Sequence, residues 1–391
     1  MLIDSTLREG AQAYGVYFGR GNRRRVVELL ASAGVDEIEC GWLGQDAPGE
    51  PLEDFLAWAV EHVPAPEAGG PALSLWCPCR EADVRQAAAL ARRGLIHRLS
   101  IGAPSSAAHR QKRLGLSHAE MRERVRTVVA TARREGLAYI SVGLEDISRA
   151  EPEEALALAK AAVEAGASRI RLSDTVGLLT PLSTALLVER FASALPVPVA
   201  FHGHNDLGMA TANAVTALMS GAAFVDVSAL GLGERAGIAA LEEVAAWVSL
   251  RSGAAKGYDL PVLRKLCRLA SLAARVPLAR NKPVTGEDVF SAESGLHVHG
   301  IMRDPALFEP FAPEAVGGTR HLGVGAKTGH AALNSTLERL CRAFPSAGRE
   351  SAEHGCGANG CAADSGLMDR VRALASRLGR PLTDTEILAE I

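Results

Sequence analysis

Along roughly the first 250 residues, short runs of valine, isoleucine and leucine alternate with longer stretches whose apolar positions recur at helical spacing. The runs at residues 1–6, 35–40, 73–77, 97–101, 137–142, 168–172, 199–202 and 224–229 read as eight strands. Between them lie amphipathic helices; in residues 23–33, for example, Val26, Leu29, Leu30 and Ala33 share one face. Gly34, Gly136, Gly166 and Gly221 each fall near a helix end just before the next strand, where a left-handed turn favours glycine. Eight such units in roughly 250 residues predict an α/β fold, the closed (β/α)8 TIM barrel. An open doubly wound sheet is the rival, but the glycine-rich phosphate loop that often opens one is missing after the first strand.

Beyond residue 252 the pattern breaks. Residues 260–274 are helical in pattern, 281–329 are rich in Gly and Pro, and 333–343 are helical again. Segment 346–366, rich in Gly, Ser, Ala and Cys, reads as a flexible connector before a last helical piece. The predicted organisation is a barrel over 1–252, a mainly helical subdomain over 253–345, and a connector with a helical tail over 346–391.

Composition narrows the class. Of 391 residues, 48% are hydrophobic and 22% charged, enough for a large core. The net charge of −3 comes without a long run of one sign, so no nucleic-acid partner is expected. No apolar run reaches the roughly 18 residues of a membrane span. The N-terminus lacks a basic segment followed by an apolar stretch, so no signal peptide is expected either. Seven scattered cysteines do not form a disulfide framework and suit the reduced thiols of a cytoplasmic protein.

The site of such a barrel is built at the C-terminal ends of its strands. There the first strand runs into DSTLREGAQ (4–12), the seventh into FHGHNDLG (201–208) and the eighth into GLGERAG (231–237). His202 and His204 are two apart on a strand and so share a face. Two readings stand: paired structural histidines, or two metal ligands completed by Glu9 with open positions for water or substrate. An adjacent guanidinium, Arg8, suits a chelated 2-oxo acid whose carbonyl is attacked; its other reading is a salt bridge to Asp4 or Glu9. Arg80, beside Cys77 and Cys79 at the third strand end, is a candidate for a distal carboxylate or a surface ion pair. His354, Cys356 and Cys361 in HGCGANGC are either a second metal or redox site or a loop that holds thiols, and their spacing is not a strong zinc pattern.

DSTLREGAQ, SDTVGLLTP (173–181), FHGHNDLGMATANA (201–214) and GLGERAG together resemble the DRE-TIM metallolyase superfamily. With SVGLEDISRA (141–150), ESGLHVHG (293–300) and GAKTGH (325–330), the chain is similar to the homocitrate synthase and isopropylmalate synthase branch over residues 1 to 340. The resemblance implies Glu9, His202 and His204 as ligands of a divalent ion (zinc, manganese or magnesium), and Arg8 as the catalytic arginine. It implies Gln12 and Thr175 as contacts to the oxo acid, and His297 as the acid–base histidine with Glu145 as partner. It further implies acetyl-CoA as co-substrate and a homodimer whose lid segments serve each other's sites. For Glu145 an ion pair with Arg149 is the other reading, and for His297 a surface loop position.

Several positions depart from relatives. Glu9 stands where isopropylmalate synthases have Asp, and Ile238 where a metal-binding Asn is common; both also occur in homocitrate synthases of the lysine pathway. Ser141 and Gly143 replace an Arg and a Ser of that group, and SVGLEDISRA looks more like bacterial homocitrate synthases that serve nitrogenase cofactor assembly. Phe308 replaces a lid tyrosine. The expected reaction is therefore condensation of acetyl-CoA with 2-oxoglutarate. Alternatives are an (R)-type citrate synthase using oxaloacetate, an isopropylmalate or citramalate synthase, and a lyase or aldolase of the same superfamily. One methylene separates the first two substrates, worth only about 1–3 kcal/mol in a pocket.

Overall fold

In the computed structural model, which describes residues 1–47, 49–343 and 363–391, all eight strands form and close into one parallel barrel. They are β1 (Leu2–Asp4), β2 (Glu37–Trp42), β3 (Ala72–Pro78), β4 (Arg98–Pro104), β5 (Ile140–Glu145), β6 (Arg169–Asp174), β7 (Val199–Gly203) and β8 (Phe224–Val227). Each pairs with its successor, and β1 closes on β8 with Leu2 opposite Val225 and Asp4 opposite Val227. β4 and β5 run past residues 101 and 142 because the ladder continues through Gly102, Pro104, Gly143 and Glu145, which an apolar pattern does not mark.

The helices on the outside are α1 (Arg20–Ala33), α2 (Leu52–His62), α3 (Glu81–Arg92), α4 (Ala107–Leu114), α5 (His118–Arg134), α6 (Pro152–Glu164), α7 (Pro181–Ala194), α8 (Ala210–Met219), α9 (Leu241–Leu250) and α10 (Leu260–Ala274). Val26, Leu29, Leu30 and Ala33 of α1 are all buried, as their shared face requires. Gly34 ends that helix at φ 80°, and its amide donates to the carbonyls of Ala31 and Leu30.

Strand alternation sorts the chemistry. Ile38, Leu75, Leu99, Ile101, Val142, Leu144, Ile170 and Leu172 are buried apolar strand residues. Between them, at every second position, stand Glu37 and Glu39 on β2, Arg98 and Ser100 on β4, and Arg169 and Arg171 on β6, all buried except the partly exposed Arg98. Their ion pairs cross the barrel: Glu37 accepts from Arg169 at 2.7 and 3.0 Å and from Arg98 at 2.7 Å. Layers of branched apolar side chains are the usual filling of such barrels; here apolar Ile3, Ala200 and Phe224 share the interior with charge pairs.

The chain divides into two units, Met1–Leu278 and Ala279–Ile391. The division falls beyond residue 252 because the segment before α10 is tied to the barrel. Tyr258 donates its hydroxyl to Asp36 at 2.7 Å, Lys256 pairs with the same carboxylate, and the Asp259 amide donates to the Ala33 carbonyl. In the second unit, α11 (Gly295–Arg303), α12 (His330–Ala343), α13 (Ser365–Leu378) and α14 (Asp384–Leu388) follow in order. The C-terminal helices pack together: Leu333, Leu337 and Leu340 of α12 share one core with Met368, Val371 and Ala375 of α13 and Ile387 of α14. Most of the predicted connector, with His354, Cys356 and Cys361, lies outside the described residues.

Candidate active site

β1 ends in a turn held by its own last residue. The Asp4 carboxylate accepts from the Thr6 amide at 3.0 Å and the Thr6 hydroxyl at 2.9 Å, and burial pushes its pKa up to about 7. The turn delivers Arg8 and Glu9 to the barrel mouth. The Arg8 Nε donates to Glu39 Oε2 at 3.0 Å and its Nη1 pairs with Glu9, so its partners are Glu9 and Glu39 rather than Asp4.

From β7, His202 and His204 present Nε2 atoms 3.3 Å apart. Glu9 faces both, with Oε2 3.9 Å from His202 Nε2 and Oε1 3.8 Å from His204 Nε2. His202 Nδ1 bonds Asp226 Oδ2 of β8 at 2.9 Å. With Nδ1 carrying the proton, the carboxylate fixes the tautomer that leaves the Nε2 lone pair free. Burial, then repulsion from His202, pushes the His204 imidazole down to about 3, keeping it neutral. Burial alone would raise the Glu9 carboxyl, but Arg8 and the two imidazoles hold it below its ordinary value. Glu9 Oε1 is buried with no hydrogen-bond partner among the described residues. Two imidazole nitrogens and a carboxylate facing one point, one oxygen unsatisfied, make a donor set that fits a divalent ion.

The loop after β8 closes over this cluster because it carries glycine. A Cβ on Gly237 (φ 85°) would sit 1.8 Å from the Gly231 carbonyl oxygen, and one on Gly233 would press Glu9 Cγ at 3.2 Å. That is the physical content of GLGERAG. Arg235 of the same loop pairs with Asp206 at 2.8 Å and donates to the Thr175 carbonyl at 2.6 Å, linking the ends of β6, β7 and β8.

A cavity of about 210 Å³ opens beside the cluster, walled by Arg8, Glu9, Gln12, Trp76, Ser100, Gly102, Arg113, Gly143, Glu145, Arg171, Ser173, Thr175, His202, His204 and Glu234. Seven of the predicted site residues thus meet in one place: Arg8, Glu9, Gln12, Glu145, Thr175, His202 and His204. Thr175 Oγ1 accepts from the Asp146 amide at 2.8 Å, which joins the ends of β5 and β6.

Arg80 is not brought there. It precedes the first turn of α3, its guanidinium 4.0 Å from Asp83, and lines a separate groove with Glu120 and Arg124. From the surrounding helices it is Arg113 of α4 that reaches the cavity, paired with Glu145 at 3.0 Å, beside Arg8 and the β6 residue Arg171. Arg149 pairs with Asp146, not Glu145. Cys77 and Cys79 do not wall the cavity: Trp76, one position away, takes the inward direction, and burial raises the Cys79 thiol to about 12. His297 lies on α11 in the second unit, its ring 4.5 Å from that of Phe308, which also covers Gly300.

Glu39, Ser100, Arg171 and Asp226 are site residues that motif reading missed. Their signal was present: charged or hydroxyl residues at alternate positions within strand runs, as in EIE, RIR and VDV.

Two family models match the chain, HMGL-like over residues 1–270 and the homocitrate synthase post-HMGL domain over residues 284–347. A homocitrate synthase of Frankia alni is 41% identical over 338 residues, 86% of this chain and 92% of that one. Homocitrate synthase 1 of a Nostoc species is 36% identical over 394 residues, 99% of this chain and 96% of its own. Among solved structures, the HMG-CoA lyase of Bacillus subtilis shares the barrel, with a TM-score of 0.60 over 72% of this chain and 96% of that one, at 22% identity.

Proposed function

Because the chain belongs to the HMGL-like family and carries its homocitrate synthase post-HMGL domain, we propose that it condenses acetyl-CoA with 2-oxoglutarate to homocitrate. The observation that carries this reading is the cluster of Glu9, His202 and His204 with the Arg8 guanidinium beside it at the barrel mouth. A divalent ion, zinc, manganese or magnesium, held by those three side chains supplies Lewis-acid polarisation of the 2-keto group.

The protein's own residues do the rest. Arg8, its Nε fixed by Glu39, stabilises the oxygen that becomes negative as the carbon–carbon bond forms. Gln12 and Thr175 orient the oxo acid from the cavity wall. Glu145, steadied by Arg113, takes a proton from the acetyl methyl group, with His297 as its partner in the transfer. The resulting carbanion adds to the keto carbon, and water then cleaves the thioester to release CoA.

The assay is CoA release from acetyl-CoA with 2-oxoglutarate, oxaloacetate, 2-oxoisovalerate or pyruvate, with and without added metal. The expected result is a metal-dependent preference for 2-oxoglutarate. Preference for oxaloacetate or 2-oxoisovalerate reassigns the substrate, and no release with any acid sinks the condensation. Asp226→Asn is expected to weaken metal binding about 10- to 100-fold by loosening His202. Competition with a chelator measures it, and unchanged affinity would deny Asp226 that role.

A homodimer with exchanged lids belongs to the same proposal. Mixing Glu9→Gln with His297→Ala after dissociation is expected to restore about one quarter of the rate, since half the dimers then hold one intact site. No recovery argues against exchange. A cytoplasmic setting is part of the proposal too, supported by Cys40, Cys77 and Cys79, which are buried free thiols.

A further inference from the structure

Arg171 sits on β6 in register with Ala200 of β7, two residues below the level where Ser173 faces His202. At strand rise that is about 6–7 Å deeper into the barrel. Its Nη1 is clamped by two carboxylates, Glu39 Oε1 at 2.8 Å and Asp226 Oδ2 at 3.2 Å. Those carboxylates also hold Arg8 and His202, so the guanidinium plane is fixed relative to the ligand cluster. The other edge is open: Arg171 lines the cavity, and its Nε and Nη2 are buried with no hydrogen-bond partner among the described residues. Nε and Nη2 form the side-on fork of an arginine, two parallel N–H donors at the spacing of a carboxylate's two oxygens.

The surroundings leave that edge room and one more donor. Gly143, on the adjacent β5, stands opposite Arg171, and a Cβ there would make only ordinary contacts, with Arg171 Cδ at 3.9 Å, which leaves room on that side of the fork; the space beside Gly102 of β4 is taken by Trp76 and Glu145. Ser100 on β4 walls the same cavity with a buried hydroxyl that also lacks a partner among the described residues. The other cations of the cavity are engaged, Arg8 by Glu9 and Glu39 and Arg113 by Glu145.

We propose that Arg171, through its Nε/Nη2 fork and assisted by the Ser100 hydroxyl, binds the distal carboxylate of the oxo acid and sets the enzyme's preference for a five-carbon dicarboxylate. The proposal rests on the condensation reading for the position of the keto end, at Glu9, His202 and His204. From there an extended 2-oxoglutarate puts its second carboxyl carbon about 4 Å further on, and oxaloacetate stops one carbon short. An unpaired buried fork also rejects acids that bring no carboxylate, because its desolvated donors then stay unsatisfied.

The test compares 2-oxoglutarate with 2-oxopentanoate, which has the same chain length and no distal carboxylate. Binding of each is measured by calorimetry in saturating manganese, alongside CoA release, for the wild type, Arg171→Gln, Arg171→Lys and Ser100→Ala. Lysine keeps the charge between Glu39 and Asp226 but lacks the fork, so it serves if the glutamine variant does not fold. The expected result is a fall in the 2-oxoglutarate to 2-oxopentanoate affinity ratio on the order of 100-fold for Arg171→Gln, less for Arg171→Lys, and about 5-fold for Ser100→Ala. A ratio unchanged in a folded, manganese-binding Arg171 variant overturns the proposal. So does a wild type that binds the two acids equally. Selective binding of 2-oxoglutarate without CoA release would instead sink the condensation and leave the carboxylate site standing.

Discussion

Glu9→Gln is expected to abolish tight metal binding and lower CoA release on the order of 1,000-fold. Loss of a mere partner of a ligand costs about 10- to 100-fold, and a ligand itself costs more. The substitution is nearly isosteric, and Arg8 keeps its bond to Glu39, so the variant should fold. It replaces the anionic oxygen that faces both imidazoles with a neutral amide, leaving two nitrogen donors of the proposed three-ligand set unchanged. Metal content after dialysis and CoA release are measured together. A variant that retains one equivalent of metal and more than about a tenth of the rate would remove Glu9 from the ligand set.

The second large effect is on stability. Glu37→Gln is expected to cost the barrel about 3 kcal/mol at pH 7, because it leaves the fully buried Arg169 guanidinium, and the partly exposed Arg98, facing a neutral group. Burial by itself would raise the Glu37 carboxyl, but Arg169 and Arg98 hold it down at about 2. A depressed carboxylate stabilises the fold fully above its unfolded value of 4.5 and loses that contribution as pH falls through 2. Urea unfolding of wild type and variant should therefore show a gap that is widest at neutral pH and closes between pH 4.5 and 2. A gap of constant size across that window would mean that the Glu37 charge contributes nothing through its ion pairs. Glu39 is depressed in the same direction by Arg171 and Arg8, so the acid limb of the wild type belongs to both residues and only the difference isolates Glu37.

The two effects separate two layers of one interior. Glu37, Arg98 and Arg169 plug the barrel at the N-terminal ends of the strands, while Glu39, Arg171 and Asp226 brace Arg8 and His202 above them. Glu39 and Asp226 each bridge Arg171 to a functional side chain, so the site is held by charge pairs as well as by packing.

Particular elements show what could be read before any coordinates. The α1 face of Val26, Leu29, Leu30 and Ala33, the left-handed Gly34 after it, and the His202-x-His204 pair on one strand face all depend on residues within a turn or two of each other. Local spacing decides such features, and a linear pattern records it. Glu9 joined the histidines through motif resemblance and strand-end position, since nothing local to residue 9 reveals residue 202.

Arg80 and Arg113 mark where that legibility ended. Both are basic residues shortly after a strand, and a pattern cannot tell that the first turns away at the start of α3 while the second swings back over the mouth from α4. The same holds for Glu37 with Arg169 and Glu39 with Arg171, each pair 132 residues apart. By itself the sequence determined the eight βα units, the barrel class and the residues at the strand ends. The tertiary structure alone decided which buried charges meet, because an ion pair across a barrel forms only when β2 and β6 are brought face to face by closure of the sheet.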